Sequence, residues 1–96
     1  WRQVVARYGA AKLRLTETGF PSAGGASPAG VPATLEGARG YASAVLNSWL
    51  PSGATGGQPL FYFAMYDRRP DDNSVPGAFE KFFGLYTWDR RSKNLI

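Results

Sequence analysis

The chain has 96 residues, 44% of them hydrophobic and 15% aromatic, and eleven Lys and Arg outweigh seven Asp and Glu for a net charge of +4. This is the length of one small domain with enough apolar material to pack a modest core. It has no cysteine and no histidine, which argues against a disulfide framework, a zinc site and Ser-His or Cys-His nucleophiles; no other metal or cofactor motif is present, the basic residues are too scattered to mark a nucleic-acid partner, and no apolar run approaches the roughly 20 residues of a membrane span.

The chain opens on "WRQVVARYG" rather than on a secretion signal. Trp1, Val4, Val5 and Tyr8 fall at i, i+3, i+4 and i+7, the stripe of a helix already under way, and Gly9 is placed to end it. From Lys12 to Glu17 the pattern alternates as in a strand, with Leu13, Leu15 and Glu17 on one face. Gly19 to Pro32, "GFPSAGGASPAGVP", is a loop by composition. A helix follows, capped by Thr34 and favoured by Glu36 in its first turn. Its apolar stripe is Leu35, Ala38, Tyr41, Ala42, Val45, Leu46 and Trp49.

Pro51 to Pro59 reads as a turn. Leu60 to Tyr66, "LFYFAMY", is continuously apolar, which suits a strand of a parallel sheet covered on both faces. A second loop spans Asp67 to Gly77. The segment "AFEKFFGLYTW" fits a short helical turn or a strand, with Gly84 favouring an extended chain beyond it. Helix, strand, loop, helix, strand, loop is α/β alternation, with both long loops at the C-terminal ends of strands, where functional residues of such folds gather.

Glu17 has two readings at this point. It is a solvated carboxylate accepting from backbone amides, or, since it shares parity with Leu13 and Leu15, it stands at the mouth of an interior, where its charge requires a partner. Tyr66, Tyr86 and Trp88 are likewise either core rings or platforms for a ligand.

Three motifs in order, "LTETGFPSAGG", "FYFAMYDRRP" and "FEKFFGLYTWD", resemble the C-terminal part of the family 17 glycoside hydrolases, the β-1,3-glucanases and glucanosyltransferases. Members carry a strand ending in Glu, Ser or Thr, Gly, Trp, Pro and Ser, then an aromatic strand of the "YFFAMFDE" kind, then an acidic residue shortly before "FGLF". The resemblance implies an α/β chain that is the C-terminal fragment, about the last two βα units, of a (β/α)8 TIM barrel, with residues 1–96 forming strands seven and eight, their connecting helix and the C-terminal segment. It implies a retaining hydrolase or transglycosylase acting on β-1,3-glucan without a cofactor, extracellular or in the cell wall.

By the same resemblance Glu17 is the catalytic nucleophile, while Phe20, Tyr66, Asp67 and Glu80 bind or support substrate. Chemistry agrees in kind, because a retaining glycosidase pairs an attacking carboxylate with a second carboxyl group about 5 to 5.5 Å away. Glu80 has an alternative as a surface carboxylate pairing with Lys81 or Arg90. Phe20 stands where the family has tryptophan. Arg68 and Arg69 alter the charges that usually follow the aromatic strand, and Arg14 stands where the family has an aliphatic residue.

The family places its acid/base glutamate on strand four, and no segment here matches that motif. The expectation is therefore an incomplete hydrolase, inactive alone, whose partners are a β-glucan and the rest of the barrel. Two parallel strands and one full helix would leave "LFYFAMY" exposed on at least one face. The competing expectation is a non-catalytic carbohydrate-binding or interaction module using Phe20, Tyr66 and Trp88.

Overall fold

The computed structural model describes residues 2–27, 29–49 and 60–96. The order is helix α1 (Arg2–Tyr8), a 3-10 turn (Ala10–Lys12), strand β1 (Leu15–Thr18), helix α2 (Leu35–Trp49), strand β2 (Leu60–Tyr62) and a second 3-10 turn (Ala78–Phe82). β1 and β2 pair in parallel with α2 between them in sequence, so the fold is α/β. The turn expected over Pro51 to Pro59 lies outside the described residues.

Gly9 ends α1 as expected. Its φ of 80° is one that a side chain disfavours, and its N–H reaches the Val5 carbonyl at 2.8 Å. The apolar stripe of α1 is nonetheless largely uncovered, with Val4 and Tyr8 exposed. In α2, Thr34 is the cap: its Oγ1 accepts the Gly37 N–H at 2.9 Å and its carbonyl accepts the Ala38 N–H. Ala38 and Ala42 are fully covered, while Leu35, at the start of the expected stripe, is exposed. The two alanines meet Leu95, with Phe20, Tyr62 and Leu85 packed around them. Small side chains let the helix approach closely but bury little area, and no large side chain among the described residues is fully buried.

The strands depart from the expected pattern in two ways. Leu15 pairs with Leu60 and Thr18 with Tyr62, so three steps along β1 are matched by two along β2, and β1 carries one extra residue. Such a bulge breaks the alternation of faces. Leu13 and Leu15 are half-buried whereas Glu17 is exposed, so the carboxylate does not share the cover of the two leucines that the alternation put on its face.

The second departure is that the regular strand expected over Leu60 to Tyr66 stops at Tyr62. The Phe63 N–H still reaches the Thr18 carbonyl at 2.7 Å, but residues 64–67 then pair with residues 83–86 instead, through Ala64 to Phe83, Leu85 to Ala64, Tyr86 to Met65 and Asp67 to Tyr86. Gly19 permits the crossing, because a Cβ there would collide with the Phe63 carbonyl oxygen. The run is not covered on both faces: Phe61 and Met65 are 54% and 60% exposed.

The segment read as either turn or strand is both, a 3-10 turn over Ala78–Phe82 and an extended chain from Gly84. The chain then turns back at residues 87–91 and returns antiparallel, with Tyr86 bridged to Ser92 and the Lys93 N–H on the Leu85 carbonyl.

Candidate active site

A cavity of about 580 Å³ opens beside the C-terminal end of β1. Glu17, Thr18 and Gly19 form one side. Phe63, just past β2, and Arg68 also line it, as do Phe79, Glu80 and Phe83 from in and just after the 3-10 turn and Tyr41 from α2. The phenylalanines make a continuous aromatic wall: Phe83 lies 5.7 Å from Phe63 and 6.3 Å from Phe79, ring centre to ring centre. A smaller hollow of about 210 Å³ adjoins it, sharing Phe63, Arg68, Glu80 and Phe83 and adding Tyr66 and Lys81.

The two glutamates at this cavity are held differently from each other and from the neighbouring acids. Glu17 is exposed on the bulged strand, and Glu80 is half-buried on the 3-10 turn. Lys81 donates instead to the Pro70 carbonyl at 2.8 Å, and the Arg90 guanidinium lies 5.7 Å from the centre of the Tyr66 ring. Neither therefore takes the partnership with Glu80 that sequence spacing offered. Arg68 reaches Asp72 at 3.2 Å and sends its backbone N–H to the Lys81 carbonyl. Asp72 also accepts from the Ser74 hydroxyl and N–H, at 2.6 and 2.9 Å. These two bonds, and then Arg68, hold the Asp72 carboxyl down at about 2.

Thr18 and Tyr41 join β1 to α2 through their hydroxyls. Thr18 follows Glu17 directly, so this bond fixes the backbone next to the carboxylate. Chemically the cavity offers carboxylates and a guanidinium for hydroxyl groups and an aromatic wall for an apolar face, the mixture that a sugar ring requires.

Of the residues singled out from sequence, the structure brings Glu17 and Glu80 to one cavity and Tyr66 to the adjoining hollow. It does not bring Phe20 or Asp67 there. Phe20 stacks on Tyr41 at 5.7 Å and lies against Gly37 and the Ala38 and Ala42 core, so its ring is spent on packing beneath the cavity edge. The Asp67 side chain is 5% exposed, and its carboxylate accepts from Lys93 and from the Gly84 N–H at 2.8 Å. A carboxylate so buried and committed presents nothing to a ligand in the cavity.

Trp88 is 51% exposed, with the Arg69 guanidinium 5.8 Å from its ring centre. Sequence reasoning missed Phe63, Phe79 and Phe83 as cavity wall, since aromatic runs read as core. The one signal for Tyr41 was its hydroxyl, a polar group within an apolar helical stripe.

A parallel βαβ unit with an aromatic-walled cavity at the ends of its strands is an α/β arrangement of the kind that carries enzyme sites. Among solved structures, the chain is similar to the glycoside hydrolase family 17 β-1,3-glucanosyltransferase of Rhizomucor miehei, with a TM-score of 0.59 and 30% identity over 86% of this chain. The resemblance to family 17 carried by the three sequence motifs is thus borne out. The chain spans 27% of the length of that structure. No protein-family model and no curated protein matches it.

Proposed function

We propose that this chain is the last two βα units of a family 17 (β/α)8 barrel, with β1 as strand seven and the Leu60 segment as strand eight, and that the complete enzyme cleaves or transfers β-1,3-glucan with retention. Glu17 is the nucleophile. The acid/base carboxyl group comes from a part of the barrel that these residues do not supply, so the 96-residue chain alone does not turn over glucan. Glu80 supports the site from the 3-10 turn, Tyr66 extends it into the adjoining hollow, and Phe20 acts indirectly by packing on Tyr41. Such an enzyme works outside the cell or in its wall.

The observation that carries this reading is the joint placement of Glu17 and Glu80 on one aromatic-walled cavity at the C-terminal end of β1, in a chain similar to a segment of a family 17 enzyme. The exposure of Glu17 fits a carboxylate whose remaining surroundings belong to other barrel strands. The thin core and the uncovered Phe61 and Met65 agree, since an apolar sheet face of this kind is normally covered.

In the full-length enzyme, Glu17→Gln lowers kcat on a β-1,3-linked oligosaccharide by about 10³-fold or more, the order expected when a nucleophile is removed, with its circular dichroism unchanged. With Glu17→Gly, added azide restores cleavage and gives the α-glucosyl azide, because the small anion attacks from the vacated face. Parent-level cleavage by the folded Gln variant defeats the proposal. A silent Glu17→Gln combined with sugar binding lost on Trp88→Ala would establish a binding module instead.

A further inference from the structure

Lys93 belongs to the basic run near the C-terminus, yet its side chain is only 6% exposed. Its ammonium lies where three stretches of chain converge. It donates to the Asp67 carboxylate, to the Ser22 Oγ at 2.9 Å and to the Phe82 carbonyl at 3.4 Å. Ser22 closes the cluster by donating to Phe82 through both its N–H, at 3.0 Å, and its hydroxyl, at 3.2 Å. Asp67 meanwhile takes the Gly84 N–H.

Each of these acceptors lies a few residues from a different wall of the cavity. Ser22 is on the loop leaving β1 just after Glu17, Phe82 follows Glu80 by two residues, and Asp67 precedes Arg68. Three acceptors from three segments need a donor with three N–H bonds around one centre, which is what an ammonium supplies. Stability alone does not explain the charge, since a buried ion pair is seldom better than an apolar pair of the same volume. What the pair supplies is a fixed meeting point for three loops.

We propose that Lys93 is a positioning residue that sets the spacing between the Glu17 and Glu80 walls of the cavity, with Asp67 as its counter-charge and Ser22 as the link to the β1 loop. The catalytic half of this inference rests on the cavity being the glucan site. The brace itself does not.

The test uses two variants of the full-length protein. Lys93→Met combined with Asp67→Asn removes both charges and leaves neither buried alone. Ser22→Ala keeps the ion pair and cuts one link. Hydrogen exchange at the Ser22 and Gly84 amides reads the brace without reference to activity, and kcat and KM on a β-1,3-linked glucose hexasaccharide read its consequence.

The double variant exchanges faster at Ser22 and Gly84 and loses about 10- to 100-fold in kcat with KM little changed, the scale of a small misplacement of a reacting group. Ser22→Ala shifts both readouts in the same direction by less, and carries the test alone if the double variant does not fold. Parent-like exchange in a folded variant overturns the brace. Faster exchange with parental kcat overturns the positioning role. A parent that leaves the hexasaccharide intact defeats the glucan reading of the preceding section, and the exchange data then decide the brace by themselves.

Discussion

Glu17 and Glu80 face a cavity open to solvent, and neither carboxylate has a hydrogen-bonding side-chain partner among the described residues. The side chain of Asp67, on the segment that also supplies Arg68 to that cavity, is 5% exposed and bound to Lys93 and Gly84. One region leaves its carboxylates available, and the other encloses its charge and satisfies it. The contrast follows from the cost of burying an ion: a charge withdrawn from water must be paired, so the enclosed pair becomes part of the frame while the two glutamates at the open cavity stay available to a ligand.

The strongest way to break this comparison is to remove one charge from each region. Lys93→Met leaves the Asp67 carboxylate buried without its cation and should destabilise the protein by about 3–5 kcal/mol, whereas Glu80→Gln should change stability by no more than about 0.5 kcal/mol. Urea unfolding monitored by tryptophan fluorescence checks both, and equal losses would erase the distinction.

Gly84→Ala tests the frame without touching a charge. A Cβ there meets the Asp67 backbone nitrogen, the Tyr66 carbonyl carbon and the Tyr86 carbonyl oxygen, and the forced shift should cost about 1–3 kcal/mol in the same unfolding experiment. Tyr41→Phe lies on the border between the two regions, since it removes the hydroxyl that Thr18 shares. The expected loss is about 0.5–1.5 kcal/mol, and, under the proposed function, a kcat on the β-1,3-linked hexasaccharide that falls while the protein stays folded would place Tyr41 with the cavity rather than with the frame.

The smallest effect is one of pH. The Asp72 carboxyl is held at about 2, below its ordinary value of 3.8. Its bonds to Ser74 and Arg68 therefore stabilise the loop fully above that ordinary value and are lost as pH falls from about 4 toward 2. The protection of the Ser74 amide, taken relative to the intrinsic exchange rate at each pH, should fall across that window and stay flat above it, whereas a loss of protection near neutral pH would assign the loop's order to another group.

Much of this chain was legible because it depends on neighbours in sequence. The helix Leu35–Trp49, its Thr34 cap and the Gly9 stop follow from local hydrogen bonding and allowed dihedrals, and the three motifs were enough to carry the resemblance to family 17 that the structural likeness supports. Glu17, Tyr66 and Glu80 were singled out before any geometry was known, and two of them meet at one cavity. The failures share one cause. Parity along Leu13, Leu15 and Glu17 assumed an unbroken strand, and the bulge against β2 broke it. The apolar run Leu60 to Tyr66 promised one strand, and the backbone of its last residues found better partners in residues 83–86.

The sequence by itself determined the α/β order of elements, the helix and its ends, and a carboxylate near the close of the first strand, since each is set by residues a turn or a strand length apart. Only the tertiary structure decided that Asp67 and Lys93 are enclosed together, that Phe20 serves the core and that three phenylalanines wall the cavity. Whether a charge or a ring meets water or other residues depends on which distant segments arrive beside it, and linear spacing carries no record of that.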